Sequence, residues 1–107
     1  MEPSFVKIVV FTPLSHADQV RDALGRAGAG HVGTYDFCSF SSRGIGRFRP
    51  LKGADPLIGA EGKFEEVEEE RIEVICPVEI FKTVVAAVKK VHPYEEPAID
   101  VIPLLEP

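Results

Sequence analysis

Two amphipathic helical segments, each lying between strand-like segments, constrain the fold of this chain more than any other feature. The first follows the apolar run 5–11, which is β-branched and aromatic enough for a strand buried on both faces. Its apolar stripe has helical spacing and consists of Ala17, Val20, Leu24 and Ala27. The second helix carries the stripe Phe81, Val84, Val85, Val88 and Val91. Each helix therefore presents one apolar face to a sheet.

Three more segments have strand character. Residues 31–40 alternate loosely between apolar and polar side chains, residues 61–76 place Ile72 and Val74 on one side, and residues 98–104 follow the second helix. The order β-α-β-β-α-β predicts a ferredoxin-like sandwich, an α+β fold with two helices on one face of a four-stranded antiparallel sheet. Residues 41–60 show no period, which favours a long loop or the excursion of a hairpin.

The helix ends carry local signals. Ser15 and Asp18 have the spacing of a capping box at the start of the first helix. Gly28 and Gly30 suit the left-handed conformation in which helices often end. Pro93 predicts the end of the second helix, since its ring clashes with the preceding turn and it has no N–H to donate.

The length, composition and charge indicate which classes of protein the chain can belong to. With 107 residues, of which 45% are hydrophobic, we expect one globular domain over residues 1–107. A net charge of −5 argues against a nucleic-acid partner, whose phosphates require a basic surface. The sequence contains neither an apolar run of membrane-spanning length nor the pattern of a signal peptide. Two cysteines are too few for a disulfide scaffold, which favours a cytoplasmic protein with reduced thiols.

The segment 92–100 concentrates side chains that bind metals or protons. Pro93 and Pro97 restrict the backbone there, which predicts a rigid polar corner at residues 92–97. With two residues further upstream, this corner supplies candidate ligands for a divalent ion, zinc or copper: His31, Cys38, His92, Glu95 and Glu96. Their spacing matches no metal motif. The alternative is that the histidines cap helix ends or bond backbone carbonyls.

A basic segment supplies candidate ligands for an anion. Arg43, Arg47 and Arg49 lie among glycines, and with Tyr94 they could hold phosphate or carboxylate. The segment lacks the ending of a P-loop. The alternative is that it faces the Glu-rich segment 61–73, within one subunit or between subunits. Those glutamates are themselves typical of a solvated strand edge that resists aggregation.

No catalytic residue is predicted. Cys38 would need a base and electropositive surroundings to act as a nucleophile. A small buried residue in a sheet is the commoner role for a free cysteine. The sequence therefore offers candidate binding residues but no catalytic template.

Four stretches of the chain resemble one known family: Gly28–Phe40, Gly46–Leu51, Glu65–Glu69 and His92–Ala98. In order and spacing they are similar to the inserted domain of the Nif3-like dinuclear-metal-centre proteins, of the YqfO type. The resemblance implies a ferredoxin-like domain of the PII and CutA kind that tends to form trimers. The family's two metal ions are held by flanking halves that this sequence does not include. The chain therefore resembles a free-standing insert, and the resemblance implies no metal-centre ligand.

The resemblance also implies binding, sensing or assembly rather than catalysis. We expect a non-enzymatic module, a homotrimer, that binds a small ligand or docks on a protein partner. The alternative is a metal-binding protein, by analogy with the copper-tolerance association of CutA domains. Its ligands would be His31, Cys38, His92 and Glu95. A hydrolase acting on a nucleotide is the third hypothesis, which only the naming of the family favours.

Overall fold

A four-stranded antiparallel sheet covered on one face by two helices forms the fold. The computed structural model describes residues 3–105. Its strands are β1 (Phe5–Pro13), β2 (Phe40–Phe48), β3 (Glu65–Pro77) and β4 (Ile99–Leu104), and its helices are α1 (Ala17–Arg26) and α2 (Phe81–Val91). Single turns of 3-10 helix, Leu14–His16 and Val78–Ile80, precede the α-helices. The strand order β2-β3-β1-β4 confirms the predicted ferredoxin-like fold.

The central strand β1 organises the core. Its Ile8 lies opposite Val74 of β3 and Val101 of β4. Because side chains alternate along a strand, one parity of each strand faces the helices. There it meets Val20 and Leu24 of α1 and the stripe of α2. The buried hydrophobic residues of the described chain are Val6, Ile8, Val9, Val10, Ala17, Val20, Leu24, Ala29, Ile72, Val74, Cys76, Val84 and Val88.

The second strand lies later in the chain than predicted. Residues 31–40 were expected to be a strand, but they form turns with a single bridge between Val32 and Tyr35. The chain folds back there because Gly30 and Phe37 have positive φ values of 82° and 54°. The Cys38 N–H also donates to the Gly30 carbonyl at 3.0 Å. The prediction of a loop or hairpin excursion over residues 41–60 is wrong for residues 41–48, which belong to β2, whereas residues 49–60 do lie in the connection between β2 and β3.

The predicted capping box is wrong, whereas the glycine signals are confirmed. The Ser15 hydroxyl hydrogen-bonds His16 Nδ1 at 2.8 Å, and no side chain caps α1. A 3-10 turn carries the chain from β1 into the helix instead, and Asp18 pairs with Arg21 at 2.6 Å. Gly28 does adopt the left-handed conformation after α1, with φ 106°.

The β2–β3 hairpin pairs the basic segment with the acidic one. Arg43 lies opposite Glu70 and Arg47 opposite Glu66, and the Arg47 Nε–Glu66 Oε1 distance is 3.1 Å. The alternative in which the two segments face each other within one subunit is thus confirmed. The prediction of an acidic strand edge is wrong, because β3 lies between β2 and β1 rather than at an edge. In residues 3–105, no helix has both the length and the apolar character of a membrane span.

Replacing Leu24 by Ala tests whether the aliphatic core determines stability. Leu24 is 1% exposed, so truncation leaves a cavity between α1 and the sheet. We expect the free energy of unfolding to fall by about 3 kcal/mol. Urea denaturation measures it. The matched control is Leu105→Ala, at a side chain 95% exposed, where we expect a change below about 0.5 kcal/mol. Equal losses in the two variants would contradict the assignment of the core.

Candidate functional site

The corner begins where α2 ends. α2 stops at Val91, and His92 is extended with ψ 131°, as expected for a residue before proline. The His92 side chain is only 7% exposed. Its Nε2–H donates to the Phe11 carbonyl at 2.7 Å, and its Nδ1 accepts from the Tyr94 backbone N–H at 3.2 Å. The Nε2–H bond attaches His92 to β1, and the Nδ1 bond fixes the Tyr94 backbone within the corner. Bonding a backbone carbonyl is the role that the sequence left open as the alternative to metal binding.

Burial disfavours the protonated form of His92. Loss of solvent lowers the pKa of the imidazole, although the Phe11 carbonyl and the nearby Glu69 carboxylate raise it and His16 lowers it further. The neutral form also matches the geometry, because one ring nitrogen must donate and the other accept. The imidazole therefore serves as a neutral bridge between α2 and β1.

Tyr94 connects the corner to the hairpin. Its hydroxyl donates to Glu69 Oε2 at 2.8 Å, and its ring lies 5.0 Å from the His92 ring. Burial and the Glu69 carboxylate strongly raise the pKa of the Tyr94 phenol. A Cβ on Gly46 would collide with the Glu69 carboxylate, so glycine in β2 provides the space that this carboxylate occupies.

Glu95 connects the corner to the loop between β2 and β3. Its carboxylate oxygens accept from the Asp55 backbone N–H at 3.2 and 3.3 Å. The loop has further bonds of its own: the Gly62 N–H donates to the Pro50 carbonyl at 2.8 Å, and the Ala54 N–H donates to Leu51 at 3.0 Å. The loop is therefore held next to the corner.

A cavity of about 570 Å³ lies between this loop and the corner. We call it the corner cavity. Its apolar lining comes from β1, the end of β2, the loop and the residue before β4: Phe11, Phe48, Pro50, Leu51, Ala54, Pro56, Leu57, Ile58 and Ala98. Its charged and polar lining is Arg47, Arg49, Glu69, Tyr94, Glu95 and Glu96. Ligand cavities in proteins commonly have this size and this mainly apolar character.

Three of the four residues predicted to bind an anion line the corner cavity. Arg47, Arg49 and Tyr94 line it, whereas Arg43 lines a smaller cavity of about 280 Å³ further along β2. The Arg49 guanidinium lies 4.9 Å from the centre of the Phe64 ring, a cation–π contact. Anion binding by these residues stays a prediction, and the geometry brings them to one place.

The structure does not bring the five predicted metal ligands together. His31 is exposed after α1, and Cys38 is half-buried in the turns that follow, outside any strand. His92, Glu95 and Glu96 lie at the other end of the sheet, because α1 and α2 run back from opposite ends of β1. Within residues 3–105, no three His, Cys, Asp or Glu side chains converge as a metal site. Metal binding by this set stays a prediction.

Sequence reasoning missed Glu69 and the apolar wall of the corner cavity. Glu69 belonged to a run interpreted as solvated, and Leu51 and Leu57 belonged to a segment without a period. One signal was present: Gly46 within a strand indicates that another group comes close to the backbone. The partner of that glycine depends on the register between β2 and β3, which local patterns do not determine.

Solved structures share this fold. Over 96% of this chain and 86% of the other, it superposes on the periplasmic divalent cation tolerance protein CutA of Archaeoglobus fulgidus, with a TM-score of 0.71 and 24% identity. CutA1 of Shewanella sp. SIB1 gives a TM-score of 0.73 at 16% identity, over 100% of this chain and 87% of that one. Identities this low show the fold alone, and the fold is that of a CutA-like domain.

Proteins with similar sequences indicate a more specific relationship than the fold does. The chain is 55% identical over 101 residues to the GTP cyclohydrolase 1 type 2 homolog of Halalkalibacterium halodurans, covering 94% of this chain and 27% of that protein. The protein of the same name in Bacillus subtilis is 51% identical over 92% of this chain and 26% of its own length. A Bacillus cereus protein related to NIF3 superposes with a TM-score of 0.84 and 48% identity, over 97% of this chain and 26% of that one. No protein-family model matches the chain.

These matches confirm the predicted resemblance to Nif3-like proteins. The chain is similar to a segment of the Nif3-like proteins and has a CutA-like fold. It spans about a quarter of the length of the curated relatives it matches, with 27% and 26% of the two just described. The names of those relatives therefore describe molecules much longer than the matched segment.

Replacing His92 by Gln tests the neutral bridge. At pH 7.5 we expect a loss of about 2 kcal/mol in the free energy of unfolding, because a buried hydrogen-bonded group is disturbed. The folded-state pKa of His92 is lowered, so the unfolded state binds the proton more readily. The contribution of His92 is therefore complete above its ordinary pKa of about 6.5 and declines as the pH falls below it. The difference between wild type and variant should shrink accordingly.

Urea denaturation at a series of pH values between neutral and mildly acidic measures this effect. The control is His31→Gln, at an exposed position, which should change stability little at any pH. A difference between wild type and His92→Gln that grows on acidification would contradict the neutral bridge.

Proposed function

We propose that the chain is a non-enzymatic binding and assembly module that associates with copies of itself, as the trimer implied by its family resemblance. The observation that carries this proposal is the placement of the aromatic residues. None of the seven phenylalanines and two tyrosines is among the buried hydrophobic residues, which are aliphatic apart from Cys76, although Phe81 of α2 packs against them. Aromatic side chains bury more area than other residues and are enriched at protein interfaces.

The exposed aromatic residues concentrate after α1. Tyr35 is 72% exposed, Phe37 50% and Phe40 68%, and with Val32 at 50% they form what we call the aromatic surface. Phe37 packs its ring over Gly25 of α1, so this segment is held on the helix. Contact with another copy would remove roughly 300–400 Å² of these side chains from water, a large part of the roughly 800 Å² that each partner contributes to a stable interface.

The groups at the corner support a non-enzymatic role. His92 uses both ring nitrogens to hold the fold, and the Tyr94 hydroxyl and Glu69 carboxylate bond each other. Residues committed to structural bonds in this way are poorly placed to act as an acid or base. The relatives' name, GTP cyclohydrolase 1 type 2 homolog, belongs to proteins of which this chain matches only about a quarter. A hydrolase function is therefore the weaker hypothesis for this segment.

A cytoplasmic location fits the same module. Cys38 and Cys76 are both free thiols. A reducing compartment would leave them so. The relatives described above come from bacteria. We propose that the module works there through contacts with its own copies and with a small ligand.

Replacing Phe40 by Ser tests the assembly. We expect the wild-type chain to sediment as an oligomer, a trimer, at micromolar concentration. Phe40→Ser should weaken association at least about tenfold, because buried aromatic anchors carry much of the energy of an interface. The side chain is already exposed in the single chain, so the fold should be unaffected. Sedimentation equilibrium with circular dichroism on the same samples measures both quantities.

The control is Ala86→Ser, which introduces the same residue on the exposed side of α2 rather than in the aromatic surface. It should leave the oligomer unchanged. A wild-type chain that remains a monomer up to high micromolar concentration would refute the proposal. An oligomer that Phe40→Ser leaves intact would exclude the aromatic surface as its interface.

A further inference from the structure

We propose that the corner cavity binds an amphipathic organic monoanion: an apolar body of aromatic size that carries a single carboxylate, phosphodiester or sulfonate group. This inference deepens the proposed binding role by naming a site and a ligand class, and it does not depend on self-assembly. The volume of the corner cavity, about 570 Å³, lies within the range of small-molecule sites.

The apolar walls of the corner cavity favour a ligand with an apolar body. Phe11, Phe48 and Pro50 supply one part of the lining, and Leu51, Leu57 and Ile58 of the loop supply another. Leu51 is 65% exposed and Leu57 56% exposed. A ligand that covers them removes apolar surface from water, at about 25 cal/mol for each Å². This lining favours a ring system or a branched hydrocarbon over a sugar.

Arg49, which lines the corner cavity, favours a ligand with an anionic group. Within residues 3–105, no carboxylate lies within 4.0 Å of its guanidinium, whereas the neighbouring Arg47 is paired with Glu66. Phe64 supports the Arg49 guanidinium from one side, at 4.9 Å from the ring centre, without using its N–H groups. A planar fork of N–H donors matches a carboxylate, phosphate or sulfonate, and stacking on an aromatic ring limits its motion.

The carboxylates that line the corner cavity limit the ligand to one anionic group. Glu69, Glu95 and Glu96 line the cavity as well, so a second anionic group would meet carboxylates of like charge. Along the hairpin, Glu69 lies opposite Gly44, whereas Arg49 follows Phe48, the last residue of β2, so the two side chains start from different points. A polar N–H on the ligand body would find an acceptor there. The site therefore selects an anion at one end and a neutral or hydrogen-donating group at the other.

The cavity is formed before any ligand binds. The Glu95 carboxylate holds the Asp55 backbone, and Gly62 donates to the Pro50 carbonyl across the base of the loop. The Tyr94–Glu69 bond fixes the opposite wall. Binding to a preformed site loses less conformational entropy than binding that must order a loop. We therefore expect saturable binding of one ligand per chain.

The test uses two dyes that share an anilinonaphthalene body. ANS carries one sulfonate, and N-phenyl-naphthylamine carries no charge. Fluorescence titration of the full chain should show one saturable ANS site per chain. Arg49→Gln should weaken ANS binding at least about fivefold and leave the neutral dye within about twofold, because only the anionic contact is lost. Leu57→Asp should weaken both dyes, because it places a charge on the apolar wall.

The matched control for charge is Arg43→Gln, which removes an arginine from β2 outside the corner cavity and should leave both dyes unaffected. Circular dichroism and thermal melting of each variant verify the fold. The inference is overturned if ANS does not saturate near one per chain, if Arg43→Gln weakens ANS as much as Arg49→Gln, or if Arg49→Gln weakens the neutral dye equally.

Phe40→Ser separates this inference from the proposed assembly. If the corner cavity is the site, this variant binds ANS like the wild type even where its oligomer dissociates. If ANS binding disappears with Phe40→Ser and survives Leu57→Asp, the dye occupies the aromatic surface and the cavity is not its site. Loss of the oligomer with intact dye binding would therefore support both proposals, and each can fail alone.

Discussion

The hydrogen bond from His92 Nε2 to the Phe11 carbonyl, 2.7 Å long, is the contact on which the functional end of the molecule depends. It attaches the last turn of α2 to the central strand, and it does so with a buried neutral imidazole. Pro93 directs the chain away from the helix at that point. Tyr94 and Glu95 then reach the hairpin and its loop. A structural histidine therefore positions the corner cavity without needing any chemistry of its own.

The side chains divide by type between the interior and the surface. Small aliphatic residues fill the space between helices and sheet, where β-branched side chains pack well on a pleated surface. Phe81 of α2 packs against this core, and Phe5 and Phe11 belong to β1. The other aromatic residues lie on the turns after α1, at the corner and along the hairpin. In a domain of this size the surface is large relative to the core, and association is a common source of further burial. The same division leaves both the aromatic surface and the apolar lining of the corner cavity accessible to the proposed assembly and the proposed ligand.

Charged residues are arranged to hold the hairpin rather than to line one highly charged site. Arg21 bonds Glu70 and Ser41 at 2.6 and 3.2 Å, which attaches α1 to both hairpin strands. Arg47 pairs with Glu66 across the strands. Arg71 lies over the Phe11 ring and also pairs with Glu73. Arg49, in contrast, lies over the Phe64 ring and, within residues 3–105, has no carboxylate within 4.0 Å. A cation supported in this way keeps its N–H donors available, which is why the cavity has a polar end as well as an apolar wall.

Much of the fold was predictable from the sequence, since the evidence for it is local. The two helical stripes, the stop at Pro93, the left-handed Gly28 and the closing strand each follow from neighbouring residues. The misplaced second strand shows the limit of such evidence. The loose alternation over residues 31–40 was compatible with a strand, but the positive φ of Phe37 and the bond from Cys38 to Gly30 make it a set of turns. Those features depend on the fit of that segment against α1 and β3.

By itself, then, the sequence determined the order of the elements, the face that each helix buries and the two segments with candidate binding residues, 43–52 and 92–97. Only the tertiary structure decided that these segments share one cavity, that Glu69 belongs to it, and that His31 lies far from His92. Helix and strand periods are set by neighbouring residues, whereas these contacts join residues 25, 40 and 81 positions apart. Contacts of that range follow from strand order and register, which short-range patterns leave open.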